Sequence, residues 1–235
     1  MDSHVTSHQD QETGAVIIGS GDHGRGLLET LIRAHPERPI LGFIDDNPKM
    51  HGRMIGGYPV LGSIDWLRIH PEKVRWLYLG LGHPRDRRET ARKLADLRFA
   101  YPPLVHPSVV LHGDVQLGDG AYIGAGVVIA HAATIGARAL VNLNATIGHD
   151  VILGDDVSVG PGANLAGWVH VEEGSFIGMN ATLPPRTKVG AWSEVAAASL
   201  VLRPVRSGYR VLGNPARELG PVDFGRESPD QRKTG

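Results

Sequence analysis

The chain has 235 residues, a formal net charge of -1 at pH 7 and no cysteine. This length accommodates one large domain or two small ones, each with its own buried core. The absence of cysteine excludes disulfides, thiolate metal sites and a cysteine nucleophile. Because the charges nearly balance, no global field attracts nucleic acid or an anionic membrane, and we expect neither as a partner.

The two ends of the chain are polar. Residues 1–13 lack the basic and apolar regions of a secretory signal, so we expect a flexible leader. No window is apolar over the length needed to span a bilayer, which predicts a soluble, cytoplasmic protein. Residues 205–235 are predicted to form a C-terminal tail that is disordered after Pro221.

Residues 14–106 alternate short aliphatic runs with helical patterns, which is typical of βαβ units around a parallel sheet. A helix running through Arg33 follows the first strand, and a charged helix from Arg85 to Leu97 follows the third. This half is therefore predicted to be a small Rossmann-like α/β lobe. Its strands are predicted at Ala15–Ile18, Ile40–Ile44 and Trp76–Leu79.

A glycine-rich loop, GSGDHG at residues 19–24, joins the first strand to the first helix. Glycines at this spacing let a backbone approach a pyrophosphate at a helix N-terminus, in NAD or equally in a nucleotide sugar. The alternative is a tight turn with no ligand. An acidic pair and a Gly-His pair follow the second and third strands, at the same edge of the sheet. The residues expected to bind the substrate are Gly19, Ser20, Gly21, His23, Asp45, Asp46, Gly82 and His83.

Residues 109–204 consist of sixteen consecutive six-residue units, or hexads. The third residue of every hexad is Leu, Ile or Val, the first is small or Val, and the fourth is often Gly. This repeat predicts a parallel β-helix over residues 107–204. The third residue would point into the coil, the first would fit a crowded corner, and Gly would relieve strain at the turn. The pattern alone fixes neither the number of hexads per coil nor its hand.

The repeated [LIV]-G motif resembles the hexapeptide acyltransferases, whose left-handed β-helix closes one triangular coil every eighteen residues. Together with the N-terminal segment VIIGSGDHG, it resembles the sialic acid O-acetyltransferases and the bacillosamine- or perosamine-type nucleotide-sugar N-acetyltransferases, over Ala15 to Arg217. The resemblance implies a homotrimer that uses acetyl-CoA as co-substrate and no metal. It also implies direct transfer to the amino group of a UDP- or GDP-linked 4-amino-dideoxy sugar held by the N-terminal lobe.

The segment NLNATIGHD, residues 142–150, is similar to the catalytic segment of this family. Acyl transfer needs a base and donors for the oxyanion, and imidazole titrates near neutrality. We therefore predict His149 as the general base, with Asp150 orienting it. With eighteen residues per coil, Gly167 lies one rung away, and the resemblance implies that its N–H contacts the thioester carbonyl. The residues predicted to bind acetyl-CoA are Asn142, Ala166 and Gly167.

Other functions stay open at this point. One is a sugar O-acetyltransferase of the sialic acid type. A second is a metal-dependent β-helix hydratase, in which His131 and His149 would bind zinc between subunits. A third is a nucleotide-sugar-binding protein without catalysis. Relatives often carry a second His where this chain has Ser158, so the role of that position stays open, as does the choice among UDP, GDP and CMP.

Overall fold

The N-terminal half is a five-stranded α/β lobe in the computed structural model, which describes residues 13–223. The strand order is β3-β4-β2-β1-β5, and only the β3–β4 pair is antiparallel. Three helices and two 3₁₀ turns flank the sheet. The strands are β1 (Gly14–Ile18), β2 (Ile40–Ile44), β3 (Met54–Ile55), β4 (Tyr58–Gly62) and β5 (Val74–Leu79). The helices are α1 (Asp22–Ala34), α2 (Asp65–Ile69) and α3 (Pro84–Lys93), and the 3₁₀ turns are Pro48–Met50 and Pro71–Lys73.

The α/β prediction for this lobe is confirmed, but three short elements were not predicted from the sequence. Strand β3 has two residues, β4 contains Pro59, and α2 has five residues. Such segments are too short for a periodic signal, and proline argues against a strand. The predicted helix from Arg85 to Leu97 also runs too far, because α3 ends at Lys93 and the backbone of Leu94 leaves helical geometry, with φ of -106° and ψ of 7°.

The C-terminal half is a triangular coil of two-residue strands. Strands eighteen residues apart hydrogen-bond in parallel, as Val128 does with Thr146, so three hexads close one turn. Three sheets result. The first holds Val110–Leu111, Val128–Ile129, Thr146–Ile147, Asn164–Leu165 and Thr182–Leu183. The second holds Gln116–Leu117, Thr134–Ile135, Ile152–Leu153, His170–Val171 and Lys188–Val189. The third holds Leu104–Val105, Tyr122–Ile123, Leu140–Val141, Ser158–Val159, Phe176–Ile177, Glu194–Val195, Tyr209–Gly213 and Ala216–Pro221.

The interior of the coil is a set of aliphatic ladders, as the hexad pattern predicts. From Ile123 to Val201 the third residue of each hexad is almost completely buried, and the small first residues fill the space between the ladders. Burying these side chains removes apolar surface from water, at about 25 cal/mol per Å². The coil is thereby held without disulfides.

The role predicted for the hexad glycines was wrong. The left-handed backbone falls on the sixth residue of the hexad, where Asn144, Asp150 and Trp168 have φ near +57°. The fourth-position glycines are needed for another reason. A Cβ on Gly136 would lie 2.5 Å from the carbonyl carbon of Gly154, one rung further along. Close approach of successive turns, and not turn strain, therefore selects glycine at the fourth position.

The coil extends beyond both ends of the predicted range. Leu104–Val105 precedes residue 107 and pairs with Tyr122–Ile123, while Tyr209–Gly213 follows residue 204 and continues the same sheet. Ala216–Pro221 then turns back antiparallel to that strand, so the beginning of the predicted tail is an ordered hairpin. Residues 1–12, which hold nearly all of the predicted leader, and residues 224–235 lie outside the described part of the chain.

The lobe packs against one side of the coil. Helix α1 contacts the third sheet, where the Thr30 hydroxyl is 3.2 Å from the Tyr122 hydroxyl. Helix α3 lies on the corner between the second and third sheets, where Arg88 and Arg138 both bond the buried carboxylate of Asp156. Within residues 13–223, no helix has the length and apolarity needed to cross a bilayer.

Candidate active site

A cavity of about 620 Å³ opens at the carboxyl ends of β1, β2 and β5. This is the edge where parallel α/β sheets bind ligands. All eight residues expected from the sequence to bind the substrate line it: Gly19, Ser20, Gly21, His23, Asp45, Asp46, Gly82 and His83. Asp22, Arg25 and Asp86 add charged groups to its rim.

The glycine-rich loop is shaped by contacts within the lobe. Gly19 has φ of 93°, in the left-handed region that favours glycine. A Cβ on Gly24 would overlap the carbonyl oxygen of Gly19, so the loop closes on itself only with glycine there. No such contact is found at Gly21, where a side chain would meet open space. The fold therefore requires the outer two glycines and leaves the middle one available to a ligand.

The two acidic residues hold the loops that form the cavity. Asp45 Oδ2 accepts from the Ser20 hydroxyl at 2.6 Å and from the Ser20 N–H at 3.0 Å. Burial raises the pKa of Asp45, but hydrogen bonds from Ser20 and Asn47 outweigh it and lower the pKa overall. Asp46 Oδ1 accepts from the Ile64 N–H at 3.0 Å. Both carboxylates thus fix the shape of the pocket before any ligand enters.

His23 on α1 presents a nitrogen without a partner. Its ring packs edge-on against Tyr122, with centroids 5.4 Å apart, and its Nε2 is buried with no hydrogen-bond partner in the described chain. Burial, followed by the charge of Arg87, lowers the pKa of His23 to about 4. The imidazole is therefore neutral at physiological pH.

The predicted base and its support are in contact. His149 Nδ1 lies 2.8 Å from Asp150 Oδ2, and both side chains are roughly one-third exposed. Asp150 has φ of 56°, and its N–H donates to the His131 carbonyl one rung below. A carboxylate on Nδ1 fixes the tautomer, so that Nε2 carries the lone pair and can accept a proton.

Gly167 lies directly beside this imidazole. A Cβ on Gly167 would overlap Nε2 and Cε1 of His149, so the close approach depends on glycine. Among the described residues the Gly167 N–H has no hydrogen-bond acceptor, although its carbonyl accepts from the Arg186 N–H. Ala166 lies next to Gly148 on the same edge. A base and an unpaired amide donor therefore share one corner of the coil.

A column of rings surrounds His149 at this corner, between the first and second sheets. His131 stacks on it with centroids 5.3 Å apart and planes 11° apart, and Trp168 packs edge-on at 4.3 Å. The Arg186 guanidinium lies 4.3 Å from the Trp168 ring. Within residues 13–223, no group of three or more His, Asp or Glu side chains could hold a metal ion. Parallel stacking of imidazoles presents ring faces rather than convergent lone pairs.

The structure separates other predicted residues from the base. Asn142 lies at the corner between the third and first sheets, at the opposite end of the strand that leads to His149, and its Oδ1 accepts from the Leu143 N–H at 2.8 Å. The lobe cavity lies beside the third sheet and its corner with the second, on another side of the coil. One chain therefore does not bring the cavity and His149 together.

Sequence reasoning missed Trp168, Arg186 and Arg87 as neighbours of these sites. The first two lie in the column of residues eighteen apart that contains Asp150, next to the column of His149, so the coil period identifies them once the corner is known. Arg87 had no comparable signal, because nothing in a charged helix marks which arginine is buried.

Each half of the chain matches a known protein family. The family model of the PglD N-terminal domain matches residues 15–94, and that of the bacterial transferase hexapeptide repeat matches residues 103–131. GDP-perosamine N-acetyltransferase of Escherichia coli O157:H7 is 28% identical over 214 residues, which cover 86% of this chain and 95% of the relative.

Solved structures agree over the same span. A mutant of perosamine N-acetyltransferase from Caulobacter crescentus, in complex with CoA and GDP-perosamine, is 32% identical with a TM-score of 0.83, covering 88% of this chain and 97% of that one. The acetyltransferase domain of PglB from Neisseria gonorrhoeae, in complex with acetyl coenzyme A, is 28% identical with a TM-score of 0.80, covering 88% and 100%.

The lobe, the coil and the hexad array thus match these proteins over most of the chain. The coil is the left-handed β-helix of such acetyltransferases. The chain belongs to the family of hexapeptide-repeat nucleotide-sugar acetyltransferases.

Proposed function

We propose that this protein transfers an acetyl group from acetyl-CoA to the amino group of a GDP- or UDP-linked 4-amino sugar. The observation that carries the proposal is the corner where the His149–Asp150 pair adjoins the unpaired N–H of Gly167. A relative with 32% identity binds CoA and GDP-perosamine, which supports both substrates. The acyl donor is a co-substrate, and the chemistry needs no metal.

The corner supplies each group that the reaction needs. The sugar nitrogen attacks the thioester carbonyl carbon while His149 Nε2 takes the proton from that nitrogen. The oxyanion of the tetrahedral intermediate accepts a hydrogen bond from the Gly167 N–H. The C–S bond then breaks, and the departing thiolate takes the proton from the imidazolium. Asp150 stabilises the imidazolium between the two transfers.

The lobe cavity would hold the nucleotide sugar. Its glycine-rich loop leads into α1, and the N-terminus of this helix favours the negative charge of the pyrophosphate. The neutral ring of His23, which lines the same cavity, would contact the bound ligand. Preformed loops lower the entropic cost of binding, and the contacts of Asp45 and Asp46 provide that rigidity.

A second subunit is needed to complete the site. The base and the cavity of one chain lie on different sides of the coil, so the amine reaches His149 when the cavity of one subunit faces the His149 corner of its neighbour. We propose a homotrimer with acetyl-CoA in the groove between adjacent coils. Trp168, 45% exposed at this corner, would then pack against the neighbour.

The decisive assay incubates the purified protein with acetyl-CoA and GDP-perosamine, and with a UDP-linked 4-amino sugar. The matched control is the sugar nucleotide that carries a hydroxyl in place of the amine. We expect CoA release and a product one acetyl group heavier with an amine acceptor only. Acetylation of the hydroxyl analogue at the same rate would indicate an O-acetyltransferase. Binding of a nucleotide sugar without transfer to any acceptor would contradict the proposal.

A further inference from the structure

One buried charge has no part in the reaction described above. Arg87 on α3 is only 2% exposed, and its guanidinium lies between the lobe and the coil. On the lobe side Nη1 donates to the carbonyl of Gly82 at 2.9 Å and to that of Leu81 at 3.1 Å. Both residues line the cavity, directly after β5. We call this edge of the cavity, residues 81–82, the Gly82 lip. Arg87 therefore holds the backbone of the lip.

The same guanidinium is fixed to the coil. Its Nε donates to the Arg138 carbonyl at 2.8 Å, and its Nη2 donates to the carbonyls of Asp156 at 2.8 Å and Val157 at 3.3 Å. Nη2 also donates to the Ser158 hydroxyl at 2.8 Å. A planar guanidinium with every N–H directed at a fixed acceptor has little conformational freedom. Arg87 therefore fixes this part of the lobe relative to the coil.

Ser158 connects the two sides a second time. Its hydroxyl, 1% exposed, accepts from Arg87 and donates to the Gly82 carbonyl at 3.3 Å. The Gly82 carbonyl is thus held by two donors, one from α3 and one from the coil. The hydroxyl is small enough to lie between the guanidinium and the lip, and it uses both its donor and its acceptor capacity there.

The charge of Arg87 is not neutralised by a direct carboxylate partner. The Asp156 carboxylate is engaged by Arg88 and Arg138, so the oxygens around Arg87 are carbonyls and a hydroxyl. Burial lowers the pKa of Arg87 to about 10, which leaves it cationic at neutral pH. Its charge also contributes to the low pKa of His23 on the cavity wall. Arg87 therefore acts on the cavity wall both through its hydrogen bonds to Leu81 and Gly82 and through its charge.

We propose that Arg87 and Ser158 are positioning residues of the nucleotide-sugar site, which lock the Gly82 lip to the coil. This inference rests on the proposed function, because it assigns the cavity to an anionic sugar nucleotide. It gives Ser158 a role at the acceptor site and not at the acetyl-CoA site.

The test compares Ser158→Ala with Ser175→Ala in the full-length protein. Ser175 is a matched control, since it is fully buried in the coil and its hydroxyl also donates to a carbonyl, that of Gly190 at 2.7 Å. Calorimetry measures the Kd for GDP-perosamine and, separately, for CoA. We expect Ser158→Ala to raise the first Kd about five-fold and to leave the second unchanged. Ser175→Ala should change neither.

Hydrogen exchange provides a second readout without any ligand. The amides of Gly80 and Arg87, which donate to the carbonyls of Ile18 and His83, flank the lip. They should exchange about five-fold faster in Ser158→Ala than in Ser175→Ala. Equal exchange in the two variants, or equal Kd values for GDP-perosamine, would overturn the inference. If the wild-type protein binds neither GDP-perosamine nor a UDP-linked 4-amino sugar, the proposed function fails, while the exchange comparison still decides whether Ser158 holds the lip.

Discussion

His149 is constrained from several directions at once. Asp150 bonds Nδ1, His131 covers one face of the ring, and Trp168 packs edge-on, which leaves Nε2 beside Gly167. A base that is held in one rotamer loses less entropy when the reacting atoms come together. The side chains around His149 therefore orient the atom that is proposed to take the proton.

Replacing His149 by Ala should lower kcat by roughly 100-fold or more, because it removes the ring nitrogen beside Gly167 that is proposed to take the proton from the amine. Steady-state kinetics at saturating acetyl-CoA measures the loss, and gel filtration checks that the assembly is unchanged. The control is His112→Ala, an exposed residue further down the same column. Near-normal turnover of His149→Ala would remove this residue from the mechanism.

Gly167→Ala tests the geometry of the corner without removing a functional group. The added methyl would overlap His149 Nε2 and displace the ring, so we expect kcat to fall by about 100-fold. Gly113→Ala is the matched control. Gly113 occupies the same hexad position at the same corner, and a Cβ added there would have no other atom within 4 Å. Comparable activity of the two variants would show that the imidazole does not need its present position.

Two backbone demands explain the hexad composition. The sixth residue adopts left-handed φ, which costs an L-residue about 1–2 kcal/mol, and Asn, Asp and Gly recur there. The fourth residue faces the next turn with no room for Cβ at Gly136 and Gly148. Each rung therefore stores some strain at one position and gains close packing at another.

The substitutions Gly136→Ala and Ala132→Gly should have opposite effects on stability. The methyl of Gly136→Ala would lie 2.5 Å from the Gly154 carbonyl carbon, so we expect a loss of about 1–3 kcal/mol. Ala132 has φ of 58°, and glycine there relieves the strain and should raise stability by up to about 1 kcal/mol. Urea unfolding of both variants measures the difference. Equal destabilisation would refute this division of roles.

The sequence predicted the elements with a clear local pattern and missed the short ones. Sixteen hexads reveal the coil, and strands β1, β2 and β5 show clear aliphatic runs. The cavity residues were identified because parallel strands end at one edge. Asn142 was assigned to acetyl-CoA through the resemblance, yet it lies at another corner from His149. Arg87 was missed because its burial depends on how the lobe meets the coil, which no local pattern encodes.

The free energy of unfolding should depend on pH through His23. Its pKa is about 4 when folded and 6.5 as a free group, so between these values the unfolded chain binds a proton that the folded one does not. This contribution is fully present above pH 6.5 and is lost as the pH falls toward 4. The difference corresponds to about 3 kcal/mol at most.

The measurement is urea unfolding of the wild type and His23→Gln between pH 4 and 7. The variant should lose clearly less stability than the wild type over this range, because its side chain does not titrate. The exposed His112→Gln serves as control and should follow the wild type. Parallel curves for wild type and His23→Gln would contradict the burial of a neutral imidazole at this position.

A site shared between subunits predicts complementation. His149→Ala lacks the base, and Gly21→Trp would block the cavity, so each homo-oligomer should be inactive. In mixed trimers, some interfaces pair an intact cavity with an intact His149 corner. Co-expression of the two variants should therefore restore a measurable fraction of wild-type activity, assayed by CoA release. No recovery in confirmed mixed trimers would place the whole site within one chain.

The strict turn of eighteen residues limits how this half of the molecule can vary in length. Inserting one hexad below His149 would rotate everything above it by one side of the triangle and direct the imidazole away from the proposed neighbouring subunit. Insertions that keep the angular phase must add a whole turn or protrude outward from a corner. Natural length variation in the coil is expected to follow that rule, and an engineered extension would have to do the same.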